Sequence, residues 1–124
     1  MKIVRLELPL YFENIKDIYD DNIDVFVELD DGMSYTMVVT TPKFFYSYMD
    51  KEGINYIPAS PPEIIVRSLT EENIKSAVES YVENNAYWLK LYYLAGEEEG
   101  AFDIKLMNQR IDDIKKNNNE IENS

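Results

Sequence analysis

Residues 23–29 alternate strictly between apolar and polar side chains, with Ile23, Val25, Val27 and Leu29 on one face, and the run ends on Asp30-Asp31-Gly32. A period of two marks a strand with one buried face, and an acidic pair followed by glycine is a hairpin signal. The two arms together restrict the register. A three-residue loop with Gly32 in the left-handed conformation sets Leu29 against Met33, Val27 against Tyr35, Val25 against Met37 and Ile23 against Val39. Every pair then shares one apolar face. A two-residue turn opposes Val27 to Thr36 and Leu29 to Ser34, and such a one-residue slip carries polar groups into the core.

Other elements fall on either side of this hairpin. Residues 3–8 alternate loosely up to Pro9 and predict a first strand, while Phe12, Ile15, Ile18 and Tyr19 fit either a short helix or an irregular loop. Thr41-Pro42 reads as an N-cap followed by proline at the first helical position, and Phe44, Phe45, Tyr48 and Met49 make an amphipathic stripe that ends near Gly53. Prolines at 58, 61 and 62 impose a loop before a strand predicted over 63–69, with Ile64, Ile65 and Val66 in the interior.

Thr70 is a good N-cap, and Glu71 and Glu72 suit the positive end of a helix. An apolar stripe then runs through Ile74, Ala77, Val78, Tyr81, Val82, Trp88, Leu89 and Tyr92 until Gly96 supplies a stop. Asn84-Asn85 interrupts the stripe without shifting its phase, so one helix with a weak centre and two packed helices both remain open. A charged linker over 97–100 precedes Ile104, Met107, Ile111 and Ile114, whose spacing of three, four and three is a narrow helix seam, for packing within the chain or against a second copy. Residues 117–124 are polar and are expected to fray. The elements predict an α+β fold: a small antiparallel sheet of three or four strands packed against helices, with a C-terminal helix. One domain over 1–116 is expected, with 117–124 as its tail.

The chain has neither histidine nor cysteine. It therefore lacks the usual general base near neutral pH, the usual thiolate nucleophile, any disulfide and any thiolate zinc site. Chemistry by paired carboxylates or by serine and lysine remains formally open, but it needs a fixed cleft, and no catalytic residue is assigned. With four glycines and no phosphate-binding motif, no nucleotide or other cofactor is expected. Asp17, Asp20, Asp21 and Asp24 lack the calcium-loop spacing and its glycine, so they predict a solvated turn and no metal site. No apolar run approaches the roughly 20 residues that span a bilayer, and the first residues do not resemble a secretory signal, so no membrane association and a cytoplasmic location are expected.

What remains is binding. The net charge is −12, which repels nucleic acid and attracts basic partners, although charge of this kind also serves solubility. Residues 13–31 hold eight acidic residues against Lys16 alone. Asp24, Glu28, Asp30 and Asp31 lie on or beside the hairpin, where their carboxylates suit a partner's lysines and arginines or protect an edge from strand addition. Residues 87–94 are apolar almost all round, with Lys90 the only charge. Such a segment is either covered on two sides, by sheet and C-terminal helix, or is an interface in which Tyr87, Trp88 and Tyr92 are anchors and Glu79 and Glu83 an acidic rim.

The run VFVELDDGMSYTMVVTTPKFF, followed by PPEIIVRSLTEENIKSAVESYVENNAYWLKLYYL, resembles small acidic bacterial proteins of the toxin-immunity kind in the layout of residues 23–94. The resemblance implies a protein that binds a cognate basic toxin or nuclease domain and occludes or distorts its active site. It transfers no binding residue. Two other classes are carried with it: a homo-oligomer, possible as a homodimer through Trp88, Leu91, Tyr92 or the C-terminal seam, and a mimic of nucleic acid that blocks a DNA-binding protein.

Overall fold

The computed structural model describes residues 1–58, 63–97 and 103–122, and it divides into two compact units, 1–92 and 93–124. Elements follow in the order β1 (Ile3–Glu7), a 3-10 turn at Phe12–Asn14, β2 (Asn22–Leu29), β3 (Ser34–Thr40), α1 (Pro42–Glu52), β4 (Glu63–Ile65), α2 (Glu71–Glu97) and α3 (Ile104–Glu122). The fold is α+β, with a four-stranded sheet in the order β1-β2-β3-β4.

The hairpin forms in the three-residue register. Ile23 faces Val39, Val25 faces Met37 and Val27 faces Tyr35, while the Leu29 N–H donates to the Met33 carbonyl at 2.9 Å and the Gly32 N–H to the Leu29 carbonyl at 3.1 Å. Gly32 has φ +86°, a conformation that side chains with a Cβ resist, so the turn type and its glycine are one requirement. Asp31 holds the tip by accepting from the Met33 N–H at 3.0 Å. β1 joins β2 antiparallel with a bulge at Val4, between the pairs Ile3–Leu29 and Arg5–Glu28.

The sheet is mixed, not wholly antiparallel: β4 runs parallel to β3, with Val39 beside Ile64. A parallel neighbour needs a crossover, and α1 lies in the connection between β3 and β4. β4 is also shorter than the expected 63–69. Ile64 and Val66 are buried but Ile65 is 62% exposed, because successive strand side chains alternate faces and only one face is covered. Residues 59–62, within the expected proline loop, lie outside the described residues, as do 98–102, which include positions 98–100 of the expected charged linker.

α1 begins as its sequence requires. The Thr41 side chain accepts from the Phe44 N–H at 3.3 Å, Pro42 occupies the first turn, and Gly53 ends the helix at φ +67°. Its stripe is only half-buried, and polar ties to the acidic loop hold it: Ser47 Oγ donates to Asp20 Oδ2 at 2.8 Å and Lys43 reaches Asp17 at 3.6 Å. Asp17 and Asp21 also accept from the Tyr19 and Asn22 N–H groups. The aspartates of this loop thus fix turns and a helix, and among the described residues no three acidic side chains converge as metal ligands.

The core of the first unit lies between one face of the sheet and α2. Ile23, Val25, Val27, Leu29, Tyr35, Met37, Val39 and Ile64 are buried from the sheet, and Ile74, Val78, Val82, Ala86 and Leu89 from the helix. The helix starts at Thr70, whose Oγ1 accepts from the Asn73 N–H at 3.1 Å, and it continues past Gly96 to Glu97. In the second unit α3 runs to Glu122, through most of the segment expected to fray. Its seam residues Ile104, Met107, Ile111 and Ile114 are exposed.

Candidate functional site: an aromatic cleft at the break in α2

α2 is two helical stretches joined by a left-handed turn. Glu83 has extended ψ (158°), and Asn84, Asn85 and Ala86 have φ of +54°, +60° and +56°. Asparagine tolerates this region because its short polar side chain can bond locally, whereas alanine does not favour it and pays about 1–2 kcal/mol. Burial keeps Ala86 there: its methyl and the Leu89 side chain are wholly enclosed. Of the two forms the sequence allowed, the broken one is realised, and the phase of the stripe survives because the turn still delivers Ala86 and Leu89 to the core.

The break leaves the aromatic residues of the second stretch uncovered. Tyr87 is 59% exposed and Trp88 54%. Their rings meet edge to face at 5.4 Å, and Trp88 and Tyr92 lie 5.9 Å apart and tilted. Such pairs favour each other by about 0.5–1.5 kcal/mol beyond area burial, so the cluster is pre-arranged without any cover. Trp88 and Tyr92 line a cleft of about 380 Å³ together with Ser80, Tyr81, Glu83 and Asn84. Burial raises the Tyr81 phenol above its ordinary pKa, and the neighbouring Tyr92 phenol raises it further. The Tyr81 hydroxyl donates to the Glu63 carbonyl at 3.4 Å, which ties this wall to β4.

Glu83 also lines an adjoining groove of about 680 Å³ with Glu79, Lys75 and Val82 of α2 and Ile3 and Leu6 of β1. The acidic rim expected beside the aromatic residues is therefore split, with Glu83 serving both depressions and Glu79 only the groove. Asp31 is drawn to the same helix, where Lys90 Nζ approaches its carboxylate at 3.8 Å. A part-exposed pair of this length contributes at most about 1 kcal/mol. Asp30 is exposed at the hairpin tip, with its N–H bonded to the Lys2 carbonyl at 2.9 Å.

Asp24 and Glu28 belong elsewhere. They alternate with Val25 and Val27 and so project from the face of the sheet opposite α2. There Arg5 lies 5.1 Å over the Phe26 ring, 3.2 Å from Glu7 and 3.8 Å from Glu28. The expected surface of nine residues is thus two surfaces. Tyr81, Ser80 and Asn84 join the cleft without having been singled out as binding residues. Asn84-Asn85 was the available signal, since paired asparagines inside an apolar stripe suit a left-handed turn. Comparison with known protein families, with curated proteins and with solved structures finds no significant match for this chain.

Proposed function

We propose that this protein is an immunity-type inhibitor that neutralises a basic toxin domain by binding it through the cleft at the break in α2. The observation that carries the reading is the exposure of Tyr87 and Trp88 beside Tyr92 and Glu83 on a chain of net charge −12. Exposed tyrosine and tryptophan are the side chains that most often dominate protein interfaces, and the negative field speeds encounter with a basic surface. Inhibition needs no catalytic group in the inhibitor, which agrees with a chain free of histidine and cysteine. It fits a bacterial protein acting in the cytoplasm.

The test is binding to the toxin domain encoded beside its gene, measured by calorimetry at low and high salt and by survival of cells that express both. Trp88→Ala is expected to weaken binding by 2 kcal/mol or more, roughly thirtyfold, as for other central aromatic anchors. Added salt is expected to weaken it further, through the association rate. Absence of any interaction with that domain would refute the proposal.

A second reading rests on the second unit, where Ile104, Met107, Ile111 and Ile114 are exposed along one seam of α3. Pairing of this seam with a second copy would make the protein a homodimer. Ile111→Asp is then expected to turn a dimer into a monomer in sedimentation, and a wild-type chain that stays monomeric at high concentration removes this reading.

A further inference from the structure

The geometry points to the cleft formed by Ser80, Tyr81, Glu83, Asn84, Trp88 and Tyr92 as a receptor for a guanidinium group, an arginine side chain presented by a protein partner. This deepens the partner-binding reading, and rests on it for the source of the arginine alone.

Three aromatic rings and one carboxylate line the cleft, and no cationic side chain is among the lining residues. That chemistry excludes an anion, which would meet Glu83 directly and the net charge of −12 at longer range. It also disfavours a purely apolar occupant, because Glu83, Asn84 and Ser80 would lose water without gaining a partner. A cation resolves both. The faces of tryptophan and tyrosine attract positive charge, and Glu83 supplies the opposite charge.

Among cations, guanidinium matches best. It is planar, so it stacks on an indole or phenol ring, and it presents a fork of N–H donors that a carboxylate accepts two at a time. An ammonium is a compact, strongly hydrated point charge and gains less from a stacked ring. Acceptors besides the carboxylate are within the lining: the Asn84 side-chain oxygen, and Ser80 Oγ, which donates its proton to the Ala77 carbonyl at 2.6 Å and keeps its lone pairs for accepting.

The left-handed turn explains why this chemistry occurs at this place. On an unbroken helix Tyr81, Asn84, Trp88 and Tyr92 would share one ridge by their spacing of three and four, and a ridge is convex. Three successive residues at positive φ bend that ridge into a concave surface with Glu83 at the corner. Two of the three are asparagine, which holds the bend at least cost.

Trp88 is the sole tryptophan of the chain, so intrinsic fluorescence reports the cleft directly. The full-length protein is titrated with N-acetyl-arginine amide, and in parallel with the citrulline analogue, which is isosteric and neutral, and with the lysine analogue. Saturable change in Trp88 emission with arginine, none with citrulline and at least about threefold weaker binding with lysine is expected. Glu83→Gln is expected to weaken arginine binding roughly tenfold, with an unchanged circular dichroism spectrum because Glu83 is exposed. Equal responses to arginine and citrulline, lysine binding as tightly as arginine, or an unaffected Glu83→Gln protein would each overturn the assignment. Arginine binding without any toxin binding removes the immunity proposal and leaves the receptor standing. Toxin binding that survives Glu83→Gln while free arginine fails to bind removes the receptor alone.

Discussion

Thr41 does more than cap α1. Its buried hydroxyl accepts from Phe44 and from the Asp21 N–H, at 3.3 Å each, and lies 3.4 Å from the Asp21 carbonyl, which also receives the Thr41 N–H at 3.3 Å. One side chain thus joins the start of a helix to the start of β2. Thr41→Ala is expected to cost about 1–2 kcal/mol, at the upper end for a lost cap because the Asp21 N–H also loses its partner. Thr41→Ser should retain most of it; urea denaturation distinguishes the two. At Asn85, with φ +60° and an exposed side chain, glycine is expected to stabilise by a few tenths of a kcal/mol and alanine to destabilise by about 1 kcal/mol. Equal stability of the two variants would show that the left-handed turn is not held in solution.

At the scale of elements, α2 is governed by a contest between local preference and burial. The left-handed residues lie between Val78 and Val82 on one side and Ala86 and Leu89 on the other, and all four are buried in the same core. Leu89 is wholly buried, so its transfer from water is worth about 1.5–3 kcal/mol, comparable with the strain of the turn. Leu89→Ala is therefore expected to lose about 2–5 kcal/mol of stability and to loosen the aromatic cleft. Calorimetry gives the first, and a red shift of Trp88 emission the second. The hairpin has no comparable contest: turn glycine, alternation and cross-strand pairs all demand one register, which is why it was legible in full.

For the whole molecule, the charge is distributed over structures with separate duties. Asp17, Asp20 and Asp21 organise a loop, Glu28 pairs with Arg5, Asp31 pairs with Lys90, and Glu83 faces the cleft. Counting carboxylates along the chain could not separate these roles, since they depend on which face of the sheet or helix each side chain leaves from. Stability should also fall in alkali. Tyr81 has a raised pKa in the fold, so the neutral phenol is favoured there; this contribution is complete below the unfolded value near about 10 and is lost as pH rises through the folded one. The urea midpoint is expected to drop above that pH, and less so in Tyr81→Phe.

The sequence by itself determined the α+β class, the hairpin register, the Thr-Pro helix start, and the capped start of α2, because each follows from short-range periodicity or from backbone demands of single residues. It also excluded chemistry that needs a histidine or a cysteine, since the chain has neither. Only the tertiary structure decided that β4 is parallel and that Ile65 faces outward. The state of α2 belongs with these. Its periodicity is satisfied by a straight helix and by a broken one, and only the backbone angles at residues 83–86 tell them apart.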